Sequence, residues 1–363
     1  MSPRRFVSLL VAALVAIAGA MYLSSLRHLD RDDGGKPLLP NLEASLDEIT
    51  DIRLRKAESK PFATLHRQSP GHWVLAERNG YAADLGKIRR LLLALGEAKV
   101  VEGKTANPAN YAILGVEDVG QPNAGGTEVT LVAPAKTTTL IVGHSAGNGN
   151  YVRRAGEAQS LLIEPPVPLD TNTRDWIDAR LLDISPEKIQ RIRMRLADGG
   201  SYAIARVPPP AAAPPPAGAA KPAMAPAAEG DAFKLDAVPA GREAADPASI
   251  APSPTTYNGV PADDVAAATG IDFSKASVAE LDLSDGSTLT LTGTVAGDKH
   301  WIKLQSSKDA DLNARLQGRA FEIASYRYDA IYRPLEQLLK PKPLKAAPAT
   351  KPVPSGKLPN GHP

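Results

Sequence analysis

Apolar and polar positions divide the chain into one long uncharged run and a body of short alternating segments. Residues 6–26 read FVSLLVAALVAIAGAMYLSSL, with no charge in 21 positions. As a helix at about 1.5 Å per residue this run reaches about 31 Å, the thickness of a bilayer core. Beyond it the period falls to two. Ile52-x-Leu54, Phe62-Ala-Thr-Leu65 and Trp73-Val-Leu75 predict strands. Leu85, Ile88, Leu91, Leu92 and Leu95 then fall at helical spacing, with Gly96 as the stop signal. Strand patterns return at 129–131, 140–142, 151–153 and 161–163, and a helical stretch is expected at 176–182.

The same order recurs downstream. Residues 45–55, SLDEITDIRLR, match residues 185–195, SPEKIQRIRMR, with Ser45/Ser185, Ile49/Ile189, Ile52/Ile192, Arg53/Arg193 and Arg55/Arg195 identical. Ser45 and Ser185 predict helix caps or short turns, with Pro186 at the favoured first position. Strand pairs follow at 202–204 and 233–235, and a weak helix is expected at 261–270. Leu281-x-Leu283 and Leu289-x-Leu291 flank Asp285-Gly286, a strong hairpin signal. Strands at 301–304 and 321–323 and a helical stretch at 331–339 complete the second half.

The fold class is therefore α+β: an N-terminal transmembrane helix, then two tandem, diverged, strand-rich modules. The boundaries read 1–27 for an anchor or signal peptide, 28–41 for a linker, 42–183 and 184–340 for the modules, and 341–363 for a Lys/Pro-rich tail. Residues 207–230, VPPPAAAPPPAGAAKPAMAPAAEG, lie between two strands of one hairpin. They are expected to be a disordered insertion at a hairpin tip, not a boundary. Residues 241–256, rich in Pro, Ala and Ser, read as a flexible loop.

Composition sharpens this picture. The chain has 42 Lys+Arg, 40 Asp+Glu, 33 Pro and no Cys in 363 residues. Arg4 and Arg5 precede the apolar run, and Lys340, Lys342, Lys345, Lys351 and Lys357 mark the tail. Without those seven, 35 bases face 40 acids, so the body has no footprint for a phosphate backbone and no nucleic-acid partner is expected. Two readings of 6–26 stand: a retained single-pass anchor, or a cleaved signal with Ala18-Gly19-Ala20 as the cleavage site. Both put the body outside the cytoplasmic membrane, in the periplasm. A Cys-free chain excludes disulfides, thiolate zinc sites and a Cys nucleophile.

Candidate chemistry is sparse. Gly-His-Ser-Ala-Gly at 143–147 matches G-x-S-x-G, which makes Ser145 a weak catalytic candidate. A nucleophile elbow needs a helix directly after the serine, whereas Asn148-Gly149-Asn150 predicts a turn into a strand. In the repeat, Gly143 corresponds to Gly293, where no serine follows. His28, His66, His72, His144, His300 and His362 show no ligand spacing, and Asp282/Asp285 lack the spacing of a calcium loop. Asp263-Asp264 reads as charge at a helix start. Arg53, Arg55, Arg153 and Arg154 read as exposed strand positions that could form a contact surface. No cofactor, no metal and no enzymatic activity are expected.

The ordered motifs resemble an uncharacterised bacterial family of membrane-anchored proteins, known only as a domain of unknown function. The resemblance rests on Ile49-x-x-Ile52-x-Leu54, Trp73-x-Leu75, the leucine-rich helix, Asn110-Tyr-Ala-Ile-Leu-Gly115-Val and Leu140-Ile-Val-Gly143. The segment from Tyr151 to Ser160 and Trp176-Ile-Asp-x-x-Leu-Leu182 complete it. It covers about 45–196 well and is looser beyond. Such proteins accompany gliding-motility-type auxiliary ABC transporter components. The resemblance thus implies a non-enzymatic envelope subunit whose partners are the bilayer and an ABC permease or other envelope proteins. The Pro/Ala insertion and the basic tail depart from the family pattern. An envelope serine hydrolase using Ser145, and a cell-wall scaffold acting through the tail, are the alternatives.

Overall fold

The computed structural model describes residue 17 and residues 35–57, 60–207, 233–250 and 253–341. The anchor at 6–26 (apart from Ile17), the tail from 342, and nearly all of the insertion lie outside the described residues. Among the described residues no helix is long and apolar enough to cross a membrane.

Two antiparallel sheets carry the chain, with few helices. The first holds β1 (Asp51–Arg55), β2 (Ala63–Ser69), β3 (His72–Leu75), β4 (Tyr81–Ala82), β5 (Lys99–Gly103), β6 (Thr127–Val132), β7 (Thr137–Ala146), β8 (Gly149–Arg154) and β9 (Ser160–Glu164). Its order is β4-β3-β2-β1-β6-β7-β8-β9-β5. The chain then forms β10 (Arg180–Leu182), β11 (Ile189–Arg195), β12 (Ser201–Arg206), β13 (Phe233–Leu235), β14 (Val260–Pro261) and β15 (Asp264–Ala267). It finishes with β16 (Ser277–Leu283), β17 (Thr288–Ala296), β18 (Lys299–Ser306) and β19 (Arg319–Ile323). The second sheet runs β13-β12-β11-β16-β17-β18-β19-β15, the order of the first without β4, and β10 pairs with β14.

The registers agree as well as the orders. Ile52 sits between Leu65 and Leu131, and Ile192 between Ile204 and Leu281. Leu140 faces Arg154, as Leu291 faces Leu304. One sequence alignment shifts. Val142 pairs with Val152 and Gly293 with Ile302, so Gly293 matches Val142 and not Gly143. The cause is a bulge in β7, between Val142 and Ser145, that β17 lacks.

A lead-in segment pairs with each sheet. Pro37 bridges Lys99, and Val100 N donates to Lys36 O at 2.9 Å. Equivalently, Arg180 pairs with Pro261, and Ala262 N donates to Ala179 O at 2.8 Å. Leu38 thus corresponds to Leu181, and both are buried. Pairing begins upstream of positions 42 and 184.

Period-two alternation buries one face of each sheet, with Ile52 and Leu54 inside and Arg53 exposed. A helical turn α1 (Leu42–Ser45) precedes β1, and helix α2 (Leu85–Glu97) follows β4. Asp84 caps α2 by accepting from Lys87 N at 3.0 Å. Ile88, Leu91, Leu92 and Leu95 are buried, at about 1.5–3 kcal/mol each. The helix passes Gly96 by one residue. One contiguous apolar cluster includes side chains of both sheets.

Several expectations need correction. No helix forms at 261–270: β14 and β15 occupy it, followed by a single 3-10 turn Ala268–Gly270. Tertiary pairing to β10 and β19 overrides the weak Pro-to-Gly signal. The stretch 176–182 holds Trp176 at the end of a 3-10 turn and then β10. At 331–339, α6 (Ser325–Ile331) is ending and a 3-10 turn Leu335–Leu338 follows. Within 241–256, helix α4 (Pro247–Ile250) ends on Ile250, which is 2% exposed, and Arg242 is bonded to Glu336 at 2.9 Å. The turn reading at the two serines holds: Ser45 and Ser185 precede the 3-10 turns Leu46–Glu48 and Pro186–Lys188 as their N-cap residues, without a side-chain cap bond, and the Ser45 hydroxyl donates to Asn41 O and Leu42 O.

Candidate interaction cleft

The two sheets meet along a seam with polar and apolar parts. Tyr81 of β4 packs edge-on against Phe321 of β19, with centroids 5.3 Å apart. Arg78 donates twice to the Asp264 carboxylate, at 2.5 and 3.0 Å. Arg319 reaches back to Asn79 O at 2.7 Å. The β10–β14 ribbon closes the seam, with Ala83 bridging Ile177 just before it. Beside the ribbon Asp178 accepts three bonds from Arg180, from its backbone N at 3.1 Å and its guanidinium at 3.0 and 2.9 Å. Burial works against the Asp178 carboxylate, but the Arg180 bonds and charge outweigh it and hold its pKa below the ordinary value. Burial pushes the Tyr81 phenol up.

A cleft of about 620 Å³ opens on this seam, within the size range of ligand sites at domain junctions. One wall is the lead-in, from Arg180 to Ile184. The other is the β16–β17 turn, the end of β18 and the first turns of α5 (Ala310–Leu316). Leu181, Leu182 and Leu289 are buried in its floor. Its titratable groups are Asp178, Asp183, Asp285, Asp309, Arg180, Lys308 and Arg315. Most are engaged. Asp285 accepts from Ser287 N and Oγ at 2.8 and 2.6 Å, and these bonds hold its pKa down. Lys308 donates to Asp285 O at 3.0 Å, and Asp309 caps α5 by accepting from Leu312 N at 2.8 Å. Asp183 is exposed and has no ion-pair partner among the described residues.

The corresponding lead-in of the first sheet is braced by an arginine. There Arg154 of β8 donates to Leu38 O through Nε at 3.3 Å and Nη2 at 2.8 Å, and to Glu157 at 3.1 Å. The register puts Leu304 where Arg154 stands, and the lead-in pairing puts Leu181 where Leu38 stands. Leu304 has no donor to offer.

The neighbouring arginine corrects another expectation. Arg153 is 3% exposed and not a surface residue. It donates to Val116 O at 2.8 Å, Glu157 O at 3.0 Å and Asp118 at 2.5 Å, and stacks 4.7 Å from the Tyr111 ring. The segment that covers it includes α3 (Tyr111–Leu114), which ends at Gly115 with φ +67°. A Cβ on Gly143 would collide with the Leu114 and Gly115 carbonyls, so glycine is what lets α3 lie on β7.

The other sequence candidates are scattered. Ser145 is exposed near the tip of the β7–β8 hairpin, where Gly147 has φ +57°. Its Oγ accepts only a long bond, 3.4 Å, from Asn150, and its strand turns into β8, so the strand-to-helix elbow does not form. His144 contacts Ile113 O at 3.3 Å, while His300 lies in the second sheet, 5.0 Å from the Tyr328 ring. His66 bonds Asp51 at 2.9 Å, and His72 is exposed on β3. Asp282 is tied to Arg193 at 2.6 and 2.8 Å. Asp263 and Asp264 stand at a strand start and not at a helix N-terminus. Arg53 is exposed, and Arg55 is half-buried against Glu128 at 3.1 and 2.9 Å. Among the described residues no three His, Asp or Glu side chains gather as metal ligands. His28 and His362 lie outside the described residues. The cleft itself escaped sequence reasoning; the only available signal was the repeated Leu-Leu pair at 38–39 and 181–182.

No curated protein and no solved structure matches the chain. Residues 73–238 match a family described as Domain of unknown function (DUF4340). The match runs from β3 of the first sheet to just past β13, its counterpart in the second, and so spans one period of the shared strand order.

Proposed function

We propose that the chain is a non-enzymatic, membrane-anchored extracytoplasmic protein that serves as an accessory or interaction subunit of an envelope ABC-type transport system. We read its sheets as two diverged tandem modules, held by the 6–26 segment as a single-pass anchor in the cytoplasmic membrane. The observation that carries this reading is the seam. Arg78–Asp264, Tyr81–Phe321 and the Arg319 bond to Asn79 O fix the two sheets against each other there. A concave surface is left at the join. Such an arrangement suits holding a partner in a fixed orientation.

The test is affinity purification of the tagged full-length chain from detergent-solubilised membranes, with quantification of what accompanies it. The expected result is near-stoichiometric recovery of a permease and its ATPase. Deleting 6–26 should move the chain from the membrane to the soluble fraction. A chain that purifies alone under conditions preserving membrane complexes contradicts the proposal.

A further inference from the structure

We propose that a split between β18 and β19 receives the carboxyl-terminal end of an extended peptide segment from a partner protein. The two strands pair from His300↔Ile323 to Ile302↔Phe321, and there the ladder stops, although β18 runs on to Ser306 and β19 starts at Arg319. Backbone groups of successive residues point to opposite edges of a strand. Ser307 N donates to Thr288 O on the β17 side, while the Asn313 side chain bonds both Ser306 N and Ser306 O on the other. Leu304, two residues before Ser306, therefore aims its N–H and C=O away from β17 and into the split. On the far wall Gly318 O accepts from Ala268 N on the β15 side, so the N–H and C=O of Arg319 face the split as well. Leu304 and Arg319 stand where the next rung of the ladder would form, and both line an opening of about 430 Å³. Among the described residues no backbone hydrogen bond joins them across it.

The occupant follows from what surrounds the opening. Main-chain donors and acceptors on two facing strands are completed by a third main chain, the mode in which extended peptides add to sheets. The space admits a chain end and not a passing strand. The Ile302–Phe321 rung closes one end of it and the Asn313–Ser306 bonds close the other, with only Lys303 to Gln305 between. A carboxylate suits that chain end. Among the described residues that line the opening there is no Asp or Glu, and its charges are Lys303 and Arg319. The Arg319 guanidinium is engaged by Arg315 O and Asn79 O, at 2.8 and 2.7 Å. The Lys303 ammonium sits 4.1 Å from the Phe273 ring and has no carboxylate partner among the described residues, so it is the cation on offer. Thr292, directly opposite Lys303, adds a hydroxyl on the same face. The positive lining also disfavours the chain's own Lys-rich tail. This inference rests on reading the chain as an interaction subunit and names the kind of segment it engages.

The experiment uses the purified full-length chain in detergent and a coumarin-labelled Gly-Ser-Val-Thr-Val peptide with a free carboxyl terminus, with binding followed by anisotropy. Saturable binding at one peptide per chain is expected. The carboxyl-terminal amide of the same peptide, which removes the charge alone, should bind at least tenfold more weakly. Methylating the amide nitrogens of the Thr and the last Val, which removes their main-chain donors, should weaken binding at least tenfold as well. Lys303→Met should weaken the free-acid peptide about tenfold and leave the amide unchanged, and Lys303→Arg should restore most of the loss. Absence of saturable binding, equal binding of the free acid and the amide, or indifference to methylation overturns the assignment. Binding that emerges only after truncation at Pro341 would place the chain's own tail in the split and overturn the partner assignment. Failure of peptide binding alongside successful recovery of a permease would sink this inference and leave the broader proposal standing.

Discussion

Arg153 and Arg154 in the first sheet correspond by register to Lys303 and Leu304 in the second. These two substitutions change what each module can do. Arg153 is buried under the segment containing α3 and satisfies two backbone carbonyls there, whereas Lys303 is half-buried, with Nζ 4.1 Å from the Phe273 ring. Arg154 ties β8 to the lead-in; Leu304 does not. Both modules keep an opening beside the lead-in, about 740 Å³ lined by Pro37, Lys99 and Glu164 in the first and about 620 Å³ lined by Leu181 and Leu289 in the second. One strand order therefore supports two differently braced modules, one tied by a pair of arginines and the other by apolar and cation–π contacts.

The largest expected effect breaks the buried member of this comparison. Arg153→Met strands the Val116 and Glu157 carbonyls and should cost about 3–4 kcal/mol in urea unfolding. Lys303→Met loses a half-exposed cation–π contact and should cost about 0.5 kcal/mol. Equal costs would show that the two positions are not differentiated as described.

The seam comes next. Arg78→Leu should cost about 2 kcal/mol, because it leaves the half-buried Asp264 unpaired. It should also separate the single thermal unfolding transition into two, since the pair joins residues of opposite sheets. A single transition with unchanged midpoint would remove the pair from the account of the seam.

Smaller effects follow from two aspartates with opposite shifts. For Asp51, burial is outweighed by the bonds from His66 and Thr50, so its pKa is lowered in the folded chain. It therefore stabilises the fold above the unfolded carboxylate pKa of about 4, and that contribution fades as pH falls through the folded value. Burial, and then Glu322, raise the pKa of Asp263, so its ionisation opposes folding. Asp51→Asn should lower stability at pH 7 and Asp263→Asn should raise it, each by about 0.5 kcal/mol. The Asp263 difference should fade by about pH 3, below the unfolded carboxylate pKa, while the Asp51 difference should shrink as pH drops below about 4. Melting temperatures across pH 3–7 decide it, and shifts of the same sign would contradict the assignment.

Much of the strand order was legible because period-two alternation and hairpin signals are local. Ile52-x-Leu54, Ile192-x-Met194 and Asp285-Gly286 declare themselves within a few residues. The misread parts depend on distant partners. Val265 and its neighbours form a strand because β19 is there to pair with, while their own apolar pattern is too short to decide. Arg153 looks like Arg154 in the sequence; only the α3 segment, folding over one face of β8, separates a buried hub from a half-exposed strut. The β7 bulge displaced the Gly143/Gly293 alignment by one position, since an inserted residue leaves no mark in the pattern. The cleft was invisible because its walls come from distant parts of the chain, Leu181 and Asp183 on one side and Leu289, Ser306 and Leu312 on the other.

The most direct measurement exchanges the two residues. In the Arg154→Leu, Leu304→Arg double variant, amide hydrogen exchange along the lead-in around Leu38 should quicken, because the two guanidinium bonds to its carbonyl are lost. Unchanged exchange there would contradict the account of Arg154 as the tie between β8 and the lead-in.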